Sequence, residues 1–348
     1  MNKDAIEFVP FSELNIDEDF FRSLIDDYHG FRHWFLRKSE EGEKAYVLRT
    51  PELSGFLYLK DEEESDNNIS PPFCKKRRLK IGTLKIDAHG TLLGERFIGI
   101  ALNKMIIEEF DETYVTVFDK QEKLIALFEK FGFKYWGIKN NDELVYHKIM
   151  TVDHNPYKDY PMIETKGKNK YLLSIYPKYH TELFPDSKLY TEKSHNIEDL
   201  SFTNTIEKVY LTAMTGVNDI NVGDLLVIYR TADHGKSAEY SSVATSICTL
   251  IDKKHIFDFL NIKDFVEYCG KGTVFSKDEL KGFWYNKRYP YVVKMLYNFA
   301  LPKRIIRKEL IEQVGIDRNE RIMVTHLSDE GFKKIIVLGE VNEGYIIN

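Results

Sequence analysis

Arg96, Gly99 and Ala101 stand close together in LGERFIGIALNKMI, residues 93–106, a stretch that follows an extended segment and opens a helical one. The first amides of a helix have no acceptor inside it, and the helix dipole favours negative charge there. The N–H groups from Phe97 to Ala101 are therefore read as an anion site, with Gly99 allowing close backbone approach and Ala101 keeping the wall low. A plain helix start is the other reading.

The elements around this stretch give it a context. RRLKIGTLKID, residues 77–87, reads as a strand, and Ile98, Ala101, Leu102 and Met105 repeat at helical spacing behind it. Upstream, FFRSLIDDYHGFRHWFLRK reads as helix, KAYVLR and GFLYLK as a hairpin pair, and the acidic DEEESDNNISPP as a loop. Downstream come the strand TYVTVF, a helix on Leu124, Leu127, Phe128 and Phe131 stopped by Gly132, and the strands FKYWGIK and ELVYHKI.

Arg96-x-x-Gly99-x-Ala101, taken with Leu127-Phe128-Glu129-Lys130-Phe131-Gly132-Phe133 further on, resembles the GNAT superfamily of N-acetyltransferases over residues 1–150. The resemblance implies a mixed, mostly antiparallel sheet splayed into a V, with acetyl-CoA in the cleft. Backbone groups of Leu84, Lys85 and Ile86 would meet the pantetheine arm. Phe97, Ile98, Gly99, Ile100 and Ala101 would hold the pyrophosphate, Arg96 would add charge, Gly94 would help the turn, and Phe128 would lie beside the thioester. Family chemistry is attack of an amine on the thioester, with a base or water taking its proton and an acid protonating the thiolate.

The chain departs from that pattern at three points. Phe128 replaces a tyrosine that often serves as the acid, no carboxylate lies between Arg78 and Asp87, and the stretch from Ile86 to Arg96 is long. Asp87 is the candidate base, with capping of the turn as its alternative role, and His89 is a weaker one. Tyr114 and Tyr135 are the candidate replacement acids, unless they pack with locally bonded hydroxyls.

Residues 151–170, with two prolines and a lysine-glycine cluster, read as a linker. Beyond it YLLSIY, KVYLTAM, DLLVIYR and SSVATSICTLI are strand-like. One helix is expected at Ser276, whose capping box is completed by Glu279, and another from about Arg304 to Gly315. Gly223-Asp224 leading into DLLVIYR resembles the PUA-like domains, the ASCH and EVE branches in particular, for residues 171–348. That implies a small β-barrel with peripheral helices that binds RNA or a modified base in DNA. Tyr229, Arg230, Lys236 and Tyr240, and the segment FWYNKRYPY at 283–291, combine stacking surfaces with phosphate partners, or are solvated surface. KKRR at 75–78 either neutralises a phosphate or forms a solvated lead into the strand.

Totals bound these readings. The chain has 348 residues, too many for one ordinary core, so two domains are expected. Its net charge of −6 divides unevenly: 22 basic against 28 acidic residues in 1–150, and 27 against 27 beyond, so only the second half could hide a basic face. The three cysteines lack metal-ligand spacing, so neither a metal site nor a disulfide framework is expected. No leader pattern and no membrane-length apolar run occurs, which predicts a cytoplasmic protein without a membrane partner.

The expectation is thus an α+β chain: a GNAT-type acyltransferase moving an acetyl group from acetyl-CoA to an amine acceptor, joined to a PUA-like module that selects the substrate. The rival is an RNA- or modified-DNA-binding protein whose GNAT fold senses CoA or serves as scaffold.

Overall fold

Gly30 divides the first helical stretch, because its φ of 92° is left-handed and favours glycine. Two helices result where one was expected. The computed structural model describes residues 6–49, 51–87, 92–184, 205–270 and 272–347. It falls into two units that meet between Thr151 and Val152.

The first unit is built on eight strands: β1 (Ile6–Pro10), β2 (Lys44–Arg49), β3 (Leu53–Glu62), β4 (Ile69–Ser70), β5 (Arg78–Ile86), β6 (Glu112–Val117), β7 (Lys134–Lys139) and β8 (Leu144–Lys148). They form one sheet in the order β1-β2-β3-β5-β6-β8-β7-β4. Among the described residues of this unit only β5 and β6 pair in parallel. That pairing needs a crossover, which is supplied by the long helix between them.

Helices α1 (Arg22–Asp27) and α2 (Phe31–Glu40) cover one face through an aromatic core, in which Phe11 packs on Phe35 at 5.0 Å and Phe21 on Phe56 at 5.4 Å. Helices α3 (Leu93–Ile107) and α4 (Glu122–Lys130) cover the other. A side chain on Gly55, which neighbours Phe56 and so points the opposite way, would strike Leu93 and Phe97 of α3 within 3 Å.

The second unit holds β9 (Ile163–Glu164), β10 (Lys170–Ile175), β11 (Glu207–Thr212), β12 (Leu225–Arg230), β13 (Val243–His255), β14 (Tyr291–Ile306), β15 (Val324–Leu327) and β16 (Ile346–Ile347). Six of these form a sheet in the order β11-β14-β13-β12-β10-β15, and β9 pairs with β16. The expected barrel is an open sheet instead: among the described residues β11 and β15 are edges that do not pair with each other. Strand β14, absent from the sequence-based reading, is the longest among the described residues; it runs through Asn298 and Pro302 because β13 and, along its first half, β11 pair with it on either side.

Its helices are α5 (Pro156–Asp159), α6 (Pro177–Leu183), α7 (Ala238–Ser241), α8 (Ile262–Cys269), α9 (Lys277–Asn286), α10 (Arg307–Glu309) and α11 (Asp329–Leu338). The capping box at Ser276 and Glu279 opens α9 as expected. The helix expected from Arg304 starts later, since β14 runs to Ile306, and its second half is a π turn ending at Gly315.

Residues 152–170 are part of this unit and not a free linker. Tyr160 and Ile163 are buried, the Asp159 carboxylate accepts the N–H groups of Asp153 and Asn155, and Asn298 donates to the carbonyls of Pro161 and Met162 at 3.3 and 3.1 Å. Proline and polar content mimicked a linker, but Asp159 and Asn298 tie the segment into the unit.

Candidate active site

Strand β5 loses a neighbour halfway along. Arg78–Ile81 lie beside Glu112–Val115 of β6, whereas Thr83–Ile86 keep only their partners on β3. The break coincides with a bulge: Tyr58 faces Thr83 and Leu59 faces Ile81, which leaves Gly82 as the extra residue. A bulge bends its strand and increases the local twist, so β5 leans away from β6. Glycine is required there, because a Cβ would come within 2.9 Å of the Tyr58 ring. The result is a gap with a row of β5 backbone groups facing it.

Leu84, Lys85 and Ile86 lie on this free stretch, half-buried. Leu84 and Ile86 share the face of Gly55 and Leu57, toward α3. Lys85 points to the opposite face, where its ammonium meets the Ser23 hydroxyl at 2.6 Å and lies over the Phe20 ring.

The start of α3 is brought to the end of this row. Leu93 packs over Gly55, and a Cβ on Gly94 would lie 2.5 Å from Leu127 of α4 and 3.3 Å from Ile86. Here the structure corrects the sequence reading. The first bond of the helix runs from the Arg96 N–H to the Leu92 carbonyl, so the helix itself offers no acceptor to the N–H groups of Leu93 and Gly94. Phe97, Ile98, Gly99, Ile100 and Ala101 lie inside the helix and are buried; their amides are committed to its own hydrogen bonds. Arg96 is buried as well, at 6 % exposure, and does not face solvent. The apolar repeat that begins at Ile98 marked the helix's buried face rather than its first turn, and Leu93 with Gly94 extends it by a turn.

The expected catalytic groups are scattered. Asp87 is exposed, ion-paired to Lys85 at 3.7 Å, and its N–H is held by the Ser54 carbonyl. His89 lies outside the described residues. Phe128 is fully buried with its ring on Phe133 at 5.0 Å, so it serves the core and presents no face to a thioester. Tyr114 is buried opposite Lys80, on the paired part of β6, and its hydroxyl donates to Glu62; burial and then that carboxylate hold its pKa far above the usual phenol range. Tyr135 remains exposed. The KKRR run is structural: Arg78 is buried in an ion pair with Glu112, and Arg77 stacks on Phe110.

A group that the sequence reading missed lies at the wide end of the gap. Glu143, next to Leu144, which pairs with the last residue of β6, is buried. Its carboxylate accepts from Tyr28 Oη at 3.2 Å and Asn141 Nδ2 at 2.8 Å. Tyr28 follows α1, and its ring meets Phe118 at 5.2 Å, while Asp27 pairs with Lys120. Since Lys85 ties the start of α1 to β5, this segment spans the gap opposite α3. Burial, followed by Glu143, raises the Tyr28 pKa and keeps it a donor. Nothing local marks Glu143, which sits in a polar hairpin turn.

In the second unit, Tyr229 and Arg230 end β12, a central strand buried on both faces. Tyr229 is 2 % exposed and belongs to the core, and Arg230 is spent on both oxygens of Asp233. They offer no stacking or phosphate surface, contrary to expectation; Lys236 and Tyr240 are exposed. A strand covered on both faces does not alternate, so periodicity could not show which side chains face water.

Among the described residues no cluster of three or more histidine, cysteine or acidic side chains could hold a metal, and no helix is long and apolar enough to cross a membrane. Burial raises the thiol pKa of both Cys248 and Cys269.

No protein-family model matches the sequence, and no curated protein does. Solved structures do. The chain is similar to GNAT acetyltransferases and to ASCH domains. A GNAT-family acetyltransferase from Listeria monocytogenes 4b F2365 shares 17 % identity over 41 % of this chain and 94 % of that one, with a TM-score of 0.32. The NatC complex bound to Gag peptide and CoA shares 21 % over 42 % and 99 %, at 0.29. ASCH from Zymomonas mobilis shares 11 % over 49 % and 94 %, at 0.31.

Proposed function

We propose that the first unit transfers an acetyl group from acetyl-CoA to an amine. The observation that carries this reading is the parting of β5 from β6 after Ile81, which leaves backbone groups of Gly82–Ile86 open beside the first turn of α3. An extended amide-bearing arm can pair with such an edge as a strand would, and a pyrophosphate can take the N–H groups at Leu93 and Gly94. An aliphatic amine is mostly protonated near neutral pH and must lose a proton before it attacks the thioester carbon. Glu143 is the carboxylate best placed to receive that proton at the far side of the gap, and the departing thiolate takes a proton from water. In the N-acetyltransferase reading the acceptor amine enters beside Tyr28.

Titration calorimetry with acetyl-CoA tests the site through two substitutions at one position. Gly94→Ala adds only the Cβ that Leu127 must accommodate, whereas Gly94→Asp adds a negative charge beside the same amides. Acetyl-CoA affinity is expected to fall at least about tenfold further in Gly94→Asp than in Gly94→Ala. Equal affinity in both variants, or no binding by the folded wild type, removes the reading.

A further inference from the structure

Acyl transfer needs an amine, and the first unit carries one of its own beside the gap. Lys85 lies on the stretch of β5 that has parted from β6. Its backbone borders the gap, while its side chain turns to the face of α1. There the ammonium meets Ser23 Oγ at 2.6 Å and lies 3.7 Å from the Asp87 carboxylate and 4.9 Å from the centre of the Phe20 ring. Asp87 is itself held in place, since its N–H donates to the Ser54 carbonyl at 3.0 Å. An amine and a carboxylate able to take its proton thus stand together at the end of the open stretch.

Other lysines are placed differently. Lys80, also on β5, stands on the paired part and faces Glu62 at 3.6 Å. Lys120 and Lys139 belong to the segments after β6 and pair with Asp27 at 2.8 Å and Glu143 at 3.9 Å. The Lys85 side chain is 12 % exposed, against 66 % for Lys75 and 59 % for Lys120. An acylating reagent arriving from solution meets Lys75 and Lys120 first, whereas a thioester held in the gap lies along the strand that carries Lys85.

We propose that Lys85 is an acceptor within the chain: it takes the acetyl group of acetyl-CoA bound in the gap, and its modification loosens α1 from β5. The proposal deepens the acyl-transfer reading and rests on it. One proton leaves the Lys85 ammonium for the Asp87 carboxylate, and the freed electron pair of the nitrogen forms the amide bond to the thioester carbon. The carbon–sulfur bond breaks with its pair on sulfur, and a second proton from the nitrogen reaches the thiolate through water. The acetylated nitrogen has no charge, so the ion pair with Asp87 and the attraction to the Phe20 ring are lost and the bond to Ser23 is weakened. Because α1 leads into Tyr28, which donates to Glu143, the change reaches the acceptor side of the gap.

Peptide mapping by mass spectrometry of the full chain incubated with acetyl-CoA tests it. Lys85 is expected to be acetylated at least about tenfold faster than Lys75 and Lys120, the reverse of their exposure. Gly94→Asp is expected to abolish that preference, and Asp87→Asn to slow modification of Lys85 about a hundredfold while acetyl-CoA still binds. Hydrogen exchange gives a readout without acetyl-CoA. The amides of Ser23–Asp27 are expected to exchange about fivefold faster in Lys85→Gln than in the wild type, and Lys85→Arg to keep the slower rate. Calorimetry on the same preparation separates the two readings. Acetyl-CoA that binds but leaves Lys85 unmodified, or modifies Lys75 and Lys120 first, overturns self-acetylation alone; no binding by the folded wild type removes acyl transfer and this inference with it. Exchange unchanged in Lys85→Gln overturns the loosening of α1.

Discussion

Strands β5 and β13 each carry bulges and each outruns a neighbour: β5 keeps only β3 beyond Ile81, and β13 keeps only β14 beyond Leu250. On β13 the register against β14 shifts three times, and pairing resumes each time because both strands of the antiparallel pair contribute extra residues in turn. On β5 the extra residue is Gly82, while β6, a parallel neighbour reached through α3, carries no answering shift and departs toward α4.

The skipped residues have different uses in the two sheets. In the second unit Thr245 and Asn298 occupy the irregular positions and turn polar side chains inward, Thr245 toward His180 at 2.9 Å and Asn298 toward Thr249 and two carbonyls. In the first unit Gly82 has no side chain, and what becomes available is backbone. One sheet uses irregularity to satisfy its interior, whereas in the other it leaves backbone groups of β5 beside the gap, where acetyl-CoA is proposed to bind.

The largest effect that sharpens this contrast lies at His180. Burial, then the charges of Arg230 and Arg304, holds its pKa down to about 3, against 6.5 when exposed. The folded state keeps it neutral and the unfolded state binds its proton first, so its contribution is complete above pH 6.5 and is lost as pH falls toward 3. Up to about 5 kcal/mol is at stake, at about 1.4 kcal/mol per pH unit. Denaturant unfolding of the second unit at several pH values should show this slope, and His180→Gln should flatten it; an unchanged slope would mean that other groups govern acid sensitivity.

Next comes Tyr229→Ala, which empties a fully packed site and should cost about 3 to 5 kcal/mol in chemical denaturation. Tyr285→Ala should change stability by less than about 0.5 kcal/mol, as expected of an exposed ring. The reverse order would mean that Tyr285, not Tyr229, is the ring packed in the core.

The smallest is Phe128→Tyr, which restores the hydroxyl that resemblance to the family leads one to expect. Because the ring is fully buried against Phe133, the change should destabilise the first unit by about 1 to 3 kcal/mol without raising the transfer rate. A faster enzyme would show that the ring reaches the gap.

Much of the architecture was legible locally. The hairpin of β2 and β3, the strands β5 to β8, and the caps at Gly132 and Ser276 follow from period, turn residues and capping chemistry, which neighbours in sequence determine. The aromatic-basic segment at 283–291 was also visible as composition. By itself the sequence therefore determined two α+β units, the position of a strand leading into α3, and the residue types available for an anion site.

Tertiary structure decided the rest. Whether Tyr229 or Tyr285 faces water depends on what covers each side of a strand or helix, and no periodicity records that when both faces are buried. The true first turn of α3 is set by Leu93 packing on Gly55 and Gly94 on Leu127, contacts between residues dozens apart in the chain. Glu143 acquires its place from Tyr28, which is 115 positions away. Period and caps are local properties of the backbone, whereas burial and the pairing of charges arise only when distant segments displace water from one another.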